Sequence, residues 1–531
     1  MKIRIEIKFD FEGCNIANKE MSGIARKIRD GVFEIDVNDN LSLDIDACEQ
    51  AMLQVSFLSM RDAIQHHLER ESKRTTIENG KKQVENGHLL EHCSRYRIDS
   101  EIGRIEFQTY DYVDESGKLI LQSRDLFPAQ GSKEYYLTKG FKLDGMFNGT
   151  AKQTFRPVVS RMNRQRRQEE DGTRLTTLWD QSEKEGQQVV EYCEKRTDEI
   201  LAHAGFTEKG PCALGEVNED IKLETWIIVD AEVNQAIKEA EIPKDLHKEV
   251  KSNPISYEKA DKTVEISIDS VLTKKQKSHR LIKANMSSGS EKVKEKRKGE
   301  EKKRVNNRVG YIEHKGQKYT LIGRSYINLL RFVLAFLINN KLNKLQLCFY
   351  VDGEVSIRNT ISELFSWHPR VKLIMDWYHL VKKCSELLSS AIKGREKRNE
   401  HLEKLSYYLW YGCVTAAIKY LKAIPTTHQK DSEALSKLLK YLTNNKQSIP
   451  CYALRKHFGL CNSSNRVENA NNQLVSQRQK HNGMAWSENG SLALAALNVV
   501  KRNYHHQEWL DNRIIPFSFH QNFTTTNVVN F

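Results

Sequence analysis

The stretch Thr263-Val-Glu-Ile-Ser-Ile-Asp269 alternates apolar and polar residues, so its apolar side chains face the same way. This pattern predicts a β-strand with one buried face. Two further stretches, Leu345-Gln-Leu-Cys-Phe-Tyr-Val351 and Val371-Lys-Leu-Ile-Met375, are short apolar runs that predict buried strands. Segments with helical spacing separate these strands, and that order is typical of an α/β fold with a mixed sheet.

The segments around these strands predict a hairpin, a loop and several helices. Gly316 lies between two strand-like runs, which indicates a hairpin. Residues 285–308 are charged and nearly free of apolar residues, and this composition predicts an exposed loop. Helices are predicted for residues 325–340, 357–367, 380–460, 465–480 and 492–500.

The N-terminal half has a weaker pattern. A helix is predicted from Cys48 to about Ile77, and strands are predicted between residues 95 and 125. Residues 150–206 predict three short helices, the third of which begins near Gly186. Leu223-Glu-Thr-Trp-Ile-Ile-Val229 predicts a further strand.

Within residues 150–206, four arginines crowd the approach to a tight turn at Gly172. Short helices joined by such a turn are compatible with a helix-turn-helix, and the arginines could meet DNA phosphates. The alternative is a plain helical bundle with a solvated basic face. The four residues are Arg161, Arg164, Arg166 and Arg167.

The formal net charge of +13 and the pI near 9.0 favour a polyanionic partner, either nucleic acid or an anionic membrane surface, although a merely basic protein fits as well. The most apolar segment, residues 326–338, contains Arg331 and is too short to span a bilayer. No secretory signal opens the chain, and its ten cysteines include no CxxC pair, which predicts a cytoplasmic location. Cys451, His457 and Cys461 have irregular spacing, so buried cysteines are favoured over a zinc site.

Three acids lie where the predicted elements change. Asp269 follows one strand, Asp352 follows another and precedes Gly353, and Glu468 lies near the start of the helix over residues 465–480. Acids at strand ends can converge at one edge of a sheet, and Mg²⁺ prefers carboxylate and water ligands. Asp230 also ends a predicted strand, and position alone does not choose between it and Asp269.

Residues 263–503 resemble the DDE transposases of bacterial insertion sequences in the Mutator-like superfamily. The resemblance rests on four motifs in the order found in that family, the fourth of which begins at Asn465 and continues through Ser476 to Ser487, and the region they cover is nearly half the chain. The matching stretches are Ile266-Ser-Ile-Asp-Ser-Val-Leu-Thr-Lys-Lys-Gln-Lys277, Phe349-Tyr-Val-Asp-Gly-Glu354, Asp376-Trp-Tyr-His-Leu380, Asn465-Arg-Val-Glu468 and Ser476-Gln-Arg-Gln-Lys-His-Asn-Gly-Met-Ala-Trp-Ser487.

The resemblance implies an RNase-H-like catalytic core with an all-helical insertion before the last acid. It implies cut-and-paste transposition, in which metal-activated water cleaves a DNA strand and the freed 3′-OH attacks target DNA. Asp269 would bridge two Mg²⁺ or Mn²⁺ ions, while Asp352 and Glu468 would each hold one. Asp269 is preferred to Asp230 because the first acid of this family is followed by a Lys/Gln segment, here residues 274–276.

The resemblance also implies accessory residues and partners. The Asp-x-x-His signature of the family maps onto Asp376 and His379, either as support for the core or in handling DNA strands. Arg478 and Lys480 follow Glu468 and could contact phosphates of the terminal inverted repeats or the target DNA. A homo-oligomer is expected on the bound element ends, in a bacterial, nucleoid-associated setting.

The domain boundaries are predicted from the sequence pattern together with this resemblance. Two rivals stay open: a cellular nuclease of the same fold, such as an RNase H or a junction resolvase, and a degenerate transposase that only binds DNA. The expected divisions are an N-terminal region (1–90), a small β-rich region (91–149), a helical DNA-binding domain (150–210), a catalytic domain (222–379 and 461–505), a helical insertion (380–460) and a C-terminal tail (506–531).

Overall fold

A computed structural model describes most of the chain, and its internal contacts divide the chain into two compact units, residues 1–185 and 186–531. Within the described residues, no helix combines the length and apolar character needed to cross a bilayer. The described residues are 2–6, 25–29, 32–36, 45–85, 89–113, 116, 119–122, 135–150, 153–170, 172–206, 227–276, 304–481 and 484–520.

The N-terminal unit contains two sheets and a long helix, α1 (Ile45–Glu85). The helix predicted from Cys48 is thereby confirmed, as are strands between residues 95 and 125. A three-stranded antiparallel sheet has the order β1-β3-β2, from β1 (Lys2–Glu6), β2 (Ala25–Arg29) and β3 (Val32–Asp36). A four-stranded mixed sheet has the order β6-β5-β4-β7, from β4 (Leu89–Ser100), β5 (Gly103–Val113), β6 (Leu119–Gln122) and β7 (Tyr135–Leu137).

Helices form between residues 139 and 203, but not as three short helices after residue 150. A single helix, α4, covers both of the last two predicted helices, because Gly186 lies inside it and does not end it. A Cβ at Gly186 would lie 2.3 Å from the carbonyl oxygen of Ala493, so the glycine permits close backbone packing there. The helices are α2 (Lys139–Phe141), which continues as the π-helix π1 (Lys142–Gly149), α3 (Phe155–Gln165) and α4 (Leu175–His203).

The C-terminal unit is built on a five-stranded mixed sheet with the order β10-β9-β8-β11-β12. β8 pairs antiparallel with β9 and parallel with β11, so the predicted mixed α/β layout is confirmed. The predicted hairpin is also confirmed, with its turn at Lys315 and Gly316. The strands are β8 (Thr263–Lys274), β9 (Arg304–His314), β10 (Gln317–Gly323), β11 (Gln346–Val351) and β12 (Val371–Met375).

Three predictions on this unit are wrong in detail. β8 does not end at Asp269 but continues to Lys274, because β9 pairs with it from Glu265 to Lys274. For the same reason residues 304–308, predicted as loop, belong to β9; residues 285–303 lie outside the described residues. Residues 223–226 of the predicted strand lie outside the described residues. Of the described part, Ile227 makes an isolated bridge, and Asp230 begins a helix instead of ending a strand.

Helices cover the sheet and form a second core. Residues 377–457 are helical as predicted, and they pack around fully buried leucines such as Leu388, Leu405, Leu421 and Leu438. The helices are α5 (Asp230–Glu239), α6 (His247–Lys251), α7 (Tyr326–Asn339), α8 (Val355–Leu364), α9 (Trp377–Ala391), α10 (Arg395–Trp410), α11 (Val414–Lys422), α12 (Ser432–Asn445), α13 (Tyr452–His457), α14 (Asn465–Asn471), which continues as the π-helix π2 (Asn472–Lys480), α15 (Glu488–Arg502) and α16 (His506–Asn512).

Candidate active site

The register of the central strands places Asp269 beside Asp352. β8 and β11 are parallel, and Ser267 is the partner of Tyr350. Continuing that register by two residues brings Asp352 level with Asp269. The chain leaves β11 through Gly353, whose φ of +93° favours glycine, and the Asp352 carboxylate accepts the N–H of Glu354 at 2.9 Å. Two of the three predicted acids therefore share one edge of the sheet.

The third acid, Glu468, lies in the first turn of α14, which packs against β8 and β9. Its Oε1 lies 3.6 Å from Nε2 of His379. The other ring nitrogen of His379, Nδ1, lies 2.9 Å from Oδ1 of Asp376. The imidazole of His379 thus lies between Asp376 and Glu468 and contacts both.

Asp376 is buried and saturated with hydrogen bonds. It is the N-cap of α9, where its carboxylate accepts the backbone N–H of His379 at 2.7 Å, and it also accepts the N–H of Ser464. Burial alone would raise the pKa of Asp376, but these bonds and the imidazole hold the pKa below its usual value. Asp376 therefore fixes the start of α9 and the orientation of His379.

The acids repel one another. Burial raises the pKa of Asp269, and the negative charges of Asp352 and Glu468 raise it further, although the Ser270 N–H and His379 act in the opposite direction. Hydrogen bonding to Asp376 raises the pKa of His379, and Glu468 and Asp352 add to that effect. The edge of the sheet is therefore a concentration of negative charge that favours a cation.

Asn471 is a site residue that the sequence analysis missed. It lies three residues after Glu468, on the same face of α14, and its Nδ2 donates to Oδ2 of Asp269 at 2.5 Å. The side chain is only 6% exposed, and its carbonyl oxygen Oδ1 has no hydrogen-bond partner. The spacing of three from Glu468 was the only signal in the sequence that could have identified it.

No group of three or more His, Cys, Asp and Glu side chains among the described residues is arranged to hold a metal ion as it stands. The donor set at this edge nevertheless has the chemistry that Mg²⁺ takes, because it combines carboxylates with a buried amide oxygen that lacks a partner. The residues Asp269, Asp352, Glu468 and Asn471 could hold a divalent ion after their side chains turn toward it.

A cleft of about 690 Å³ opens from the acids between β8 and π2, and we call it the β8–π2 cleft. Asp269 and Glu468 lie at one end of it. Away from them, the cleft is lined by Lys274 and Arg304 from the paired strands and by Lys480 from π2. The cleft therefore joins the acidic edge to a basic region within the same unit.

Of the two predicted phosphate contacts after Glu468, only Lys480 is exposed. Arg478 is 0% exposed, stacks over the ring of Trp486 and donates to the sulfur of Met484, and burial lowers its pKa to about 10. Contact between Arg478 and a phosphate would need this packing to open. Trp486 is itself buried, whereas Trp377 is partly buried and packs edge-on against Trp410 beside the helical core.

The four arginines of the N-terminal unit also differ in exposure. Arg166 is 2% exposed and donates to the carbonyl of Glu101 and to Asp144, so it stabilises the fold. Arg161 ion-pairs with Asp144 at 2.8 Å. Arg164 is exposed, and Arg167, which donates to Gln50, is half-buried. The helix-turn-helix interpretation stays a prediction, with Arg164 and Arg167 as its accessible cations.

We expect the double variant Arg164→Ala, Arg167→Ala to weaken DNA binding and to flatten its salt dependence. Each lost phosphate contact should reduce the slope of log K against log salt by about 0.9 on duplex DNA. Fluorescence anisotropy between about 50 and 200 mM salt measures this slope. Arg166→Ala serves as the contrast, because it should lower the melting temperature instead. An unchanged slope in the double variant would favour a plain helical bundle that does not bind DNA over a helix-turn-helix.

Cys451, His457 and Cys461 each contact other parts of the fold. Cys451 is buried in an apolar cluster with Leu454 and Leu460, and His457 pairs with Glu239 at 3.2 Å. The backbone N–H of Cys461 donates to Glu265. These contacts agree with the structural interpretation of all three residues.

One family model matches about a third of the chain. Residues 332–511 match the model of an uncharacterised protein family, UPF0236, and this range includes Asp352, Asp376, His379 and Glu468 but not Asp269. No curated protein matches the chain. Among solved structures, the chain has a similarity to the Drosophila P element transposase strand transfer complex, with 9% identity over 61% of this chain and 81% of that one. The TM-score of 0.18 is too low to establish a shared fold.

Proposed function

We propose that the protein is a DNA transposase that binds the terminal inverted repeats of an insertion sequence and catalyses metal-dependent strand cleavage and transfer. The observation that carries the proposal is the gathering of Asp269, Asp352 and Glu468, three acids far apart in sequence, at one edge of a mixed sheet. In this proposal the C-terminal unit is an RNase-H-like catalytic domain, and helices α9–α13 are its insertion.

The residues at this edge fit a divalent-metal site. Asp269, Asp352 and Glu468 would hold two Mg²⁺ or Mn²⁺ ions, and the Asn471 Oδ1 supplies a further buried oxygen. When bound, the ions activate the attacking oxygen and stabilise the leaving oxygen of a phosphodiester. Burial chiefly raises the pKa of Asp269, and the bound ions would offset the smaller contribution of repulsion from Asp352 and Glu468.

The protein's own side chains orient these acids. Asn471 donates to Asp269 and limits the rotation of that carboxylate. His379, held by Asp376, faces Glu468 and carries positive charge more readily than an ordinary histidine because its pKa is raised. Beyond the acids, the cations of the β8–π2 cleft offer partners for the DNA backbone.

Two other functions share part of this support. A nuclease of the same fold would use the same acids, but the helical insertion and the separate N-terminal unit are additional to what strand cleavage alone requires. A DNA-binding protein without activity would need no cluster of repelling acids, and selection for stability alone would not favour one.

The test is metal-dependent cleavage of DNA by the full chain. We expect cleavage of a labelled duplex carrying the ends of the element in Mg²⁺ or Mn²⁺, and no cleavage in excess EDTA. Strand transfer products on a target plasmid would separate a transposase from a nuclease, since only the former joins the freed 3′-OH to new DNA. Cleavage of RNA–DNA hybrids or four-way junctions in preference to element ends would favour the nuclease. Binding without cleavage in any metal would favour the inactive DNA-binding protein.

A further inference from the structure

The helix that carries Glu468 changes its winding beyond that residue. α14 gives way to the nine-residue π-helix π2, which is closed by wider i→i+5 hydrogen bonds. The π-helix is rare, and π-helical turns within α-helices are frequent at functional sites. The cleft-lining residues Glu468, Asn472, Ser476 and Lys480 recur at intervals of four along this segment.

The winding explains that interval. In an α-helix, residues four apart advance about 40° beyond a full turn, because one turn takes about 3.6 residues. Three such steps would carry Lys480 about 120° away from Glu468 and off the cleft. In the wider π-helix, four residues make less than a full turn. The two π-helical steps, from Asn472 to Lys480, therefore rotate back by about as much as the α-helical step from Glu468 to Asn472 rotates forward. Glu468 and Lys480 therefore face the same cleft.

Buried hydrogen bonds hold π2 in this register. The Gln479 amide donates to the carbonyl of Ser491 at 2.9 Å, and the Ser491 hydroxyl donates back to Gln479. Asn307 on β9 donates to the same hydroxyl at 2.7 Å, and Trp486 donates to the backbone of Gln479. The position of Lys480 is thus fixed by the core and does not depend on local helix propensity.

Two cations lie side by side on the wall of the cleft opposite π2. Lys274 and Arg304 are direct partners in the β8–β9 register, an arrangement in which like charges destabilise the strand pair. Within the described parts of the chain, neither they nor Lys480 ion-pairs with a carboxylate. The neighbouring Lys275 differs, because it pairs with Glu488 at 3.0 Å.

We propose that the β8–π2 cleft is a track for one DNA strand, in which Lys274, Arg304 and Lys480 bind backbone phosphates remote from the reacting phosphodiester. This inference rests on the proposed function and adds where the DNA strand lies relative to the three acids. Lys480 is twelve residues beyond Glu468. An α-helix rises about 1.5 Å per residue and the wider π-helix rises less, so the two residues are separated by less than roughly 18 Å along the helix axis. With one phosphate per ~3.4 Å along a strand, the bound phosphates lie about four to five nucleotides from the cleaved bond.

The first test compares the triple variant Lys274→Ala, Arg304→Ala, Lys480→Ala with the wild-type protein on a 30-base-pair duplex. Loss of three phosphate contacts should flatten the slope of log K against log salt by about two to three units. Lys275→Ala is the matched control and should change the slope by less than one unit, because that lysine pairs with Glu488. Equal thermal unfolding of all three proteins establishes that the variants are folded.

The second test locates the strand directly. A photo-crosslinker in the variant Lys480→p-benzoylphenylalanine should mark a nucleotide about four to five positions from the bond that the same protein cleaves. A crosslink at the cleaved bond itself, or an unchanged salt slope in the triple variant, would overturn the proposed strand track. The proposed function would still stand in either case if the wild-type protein cleaves DNA. A slope that falls equally in Lys275→Ala would also overturn it. A wild type that neither binds nor cleaves DNA overturns both proposals.

Discussion

The variant Glu468→Gln should lose strand cleavage and strand transfer by about 10³-fold or more while it binds DNA almost as the wild type does. Glutamine keeps the shape of the side chain but removes the charge that a hard divalent cation requires. Stabilisation of the transition state by a metal ion contributes several kcal/mol, and about 4 kcal/mol corresponds to a factor of about 10³. DNA binding should persist because it depends on cations elsewhere, such as those of the β8–π2 cleft.

The assay for Glu468→Gln is cleavage of a labelled duplex in Mn²⁺, with a gel shift on the same DNA to measure binding. Glu433→Gln is the matched control, because Glu433 is an exposed glutamate that pairs with Lys437 on α12, away from the acids. Cleavage by Glu468→Gln at the wild-type rate would exclude Glu468 as the third acid. Loss of both binding and cleavage would indicate a folding defect, which circular dichroism would detect.

The variant Asp376→Ala should destabilise the C-terminal unit by about 3 kcal/mol. The substitution removes the N-cap bond to the His379 N–H, which costs about 1 kcal/mol, and leaves the buried N–H of Ser464 without its acceptor, which costs about 2 kcal/mol. Asp431→Ala is the matched control, since Asp431 caps α12 in the same way but is exposed, and its loss should cost only about 1 kcal/mol. Urea unfolding monitored by tryptophan fluorescence measures both changes.

The same carboxylate gives the stability of this unit a pH dependence. Because the folded pKa of Asp376 is lowered, its stabilising contribution is complete above the ordinary aspartate value of about 4 and is lost as the pH falls through the lower folded value. Asp376→Ala should therefore differ most from the wild type at neutral pH and converge with it in acid. If Asp376→Ala costs no more than Asp431→Ala at neutral pH, Asp376 is not the support of α9 that its hydrogen bonds describe.

Measuring the cleavage activity of His379→Ala distinguishes between two roles for Asp376 and His379, which are support of the core and a part in DNA handling. His379→Ala leaves the α9 cap intact, because Asp376 accepts a backbone N–H there, and it removes the imidazole that faces Glu468. A stable His379→Ala protein with reduced cleavage would assign the imidazole to positioning Glu468. A stable and fully active one would confine Asp376 and His379 to support of the core.

The sequence by itself determined the type and order of the elements around the candidate site. The alternation in residues 263–269, the apolar runs of β11 and β12, and the helical spacing of residues 380–460 are local patterns, and each was found as predicted. Such patterns report the period of the backbone, which neighbouring residues fix without help from distant parts of the chain. The three acids were placed on these elements by position and by resemblance, and their catalytic role remains a prediction.

The tertiary structure decided what depends on distant partners. β8 continues past Asp269 because β9, which starts thirty residues beyond its end, pairs with it. α4 runs through Gly186 because its backbone packs against Ala493. Arg166 and Arg478 look like surface cations in a linear sequence, but the elements folded over them bury both. The contact between Asn471 and Asp269 joins residues about two hundred positions apart, and no periodicity encodes such a meeting, because side-chain burial and long-range hydrogen bonds are properties of packing and not of local pattern.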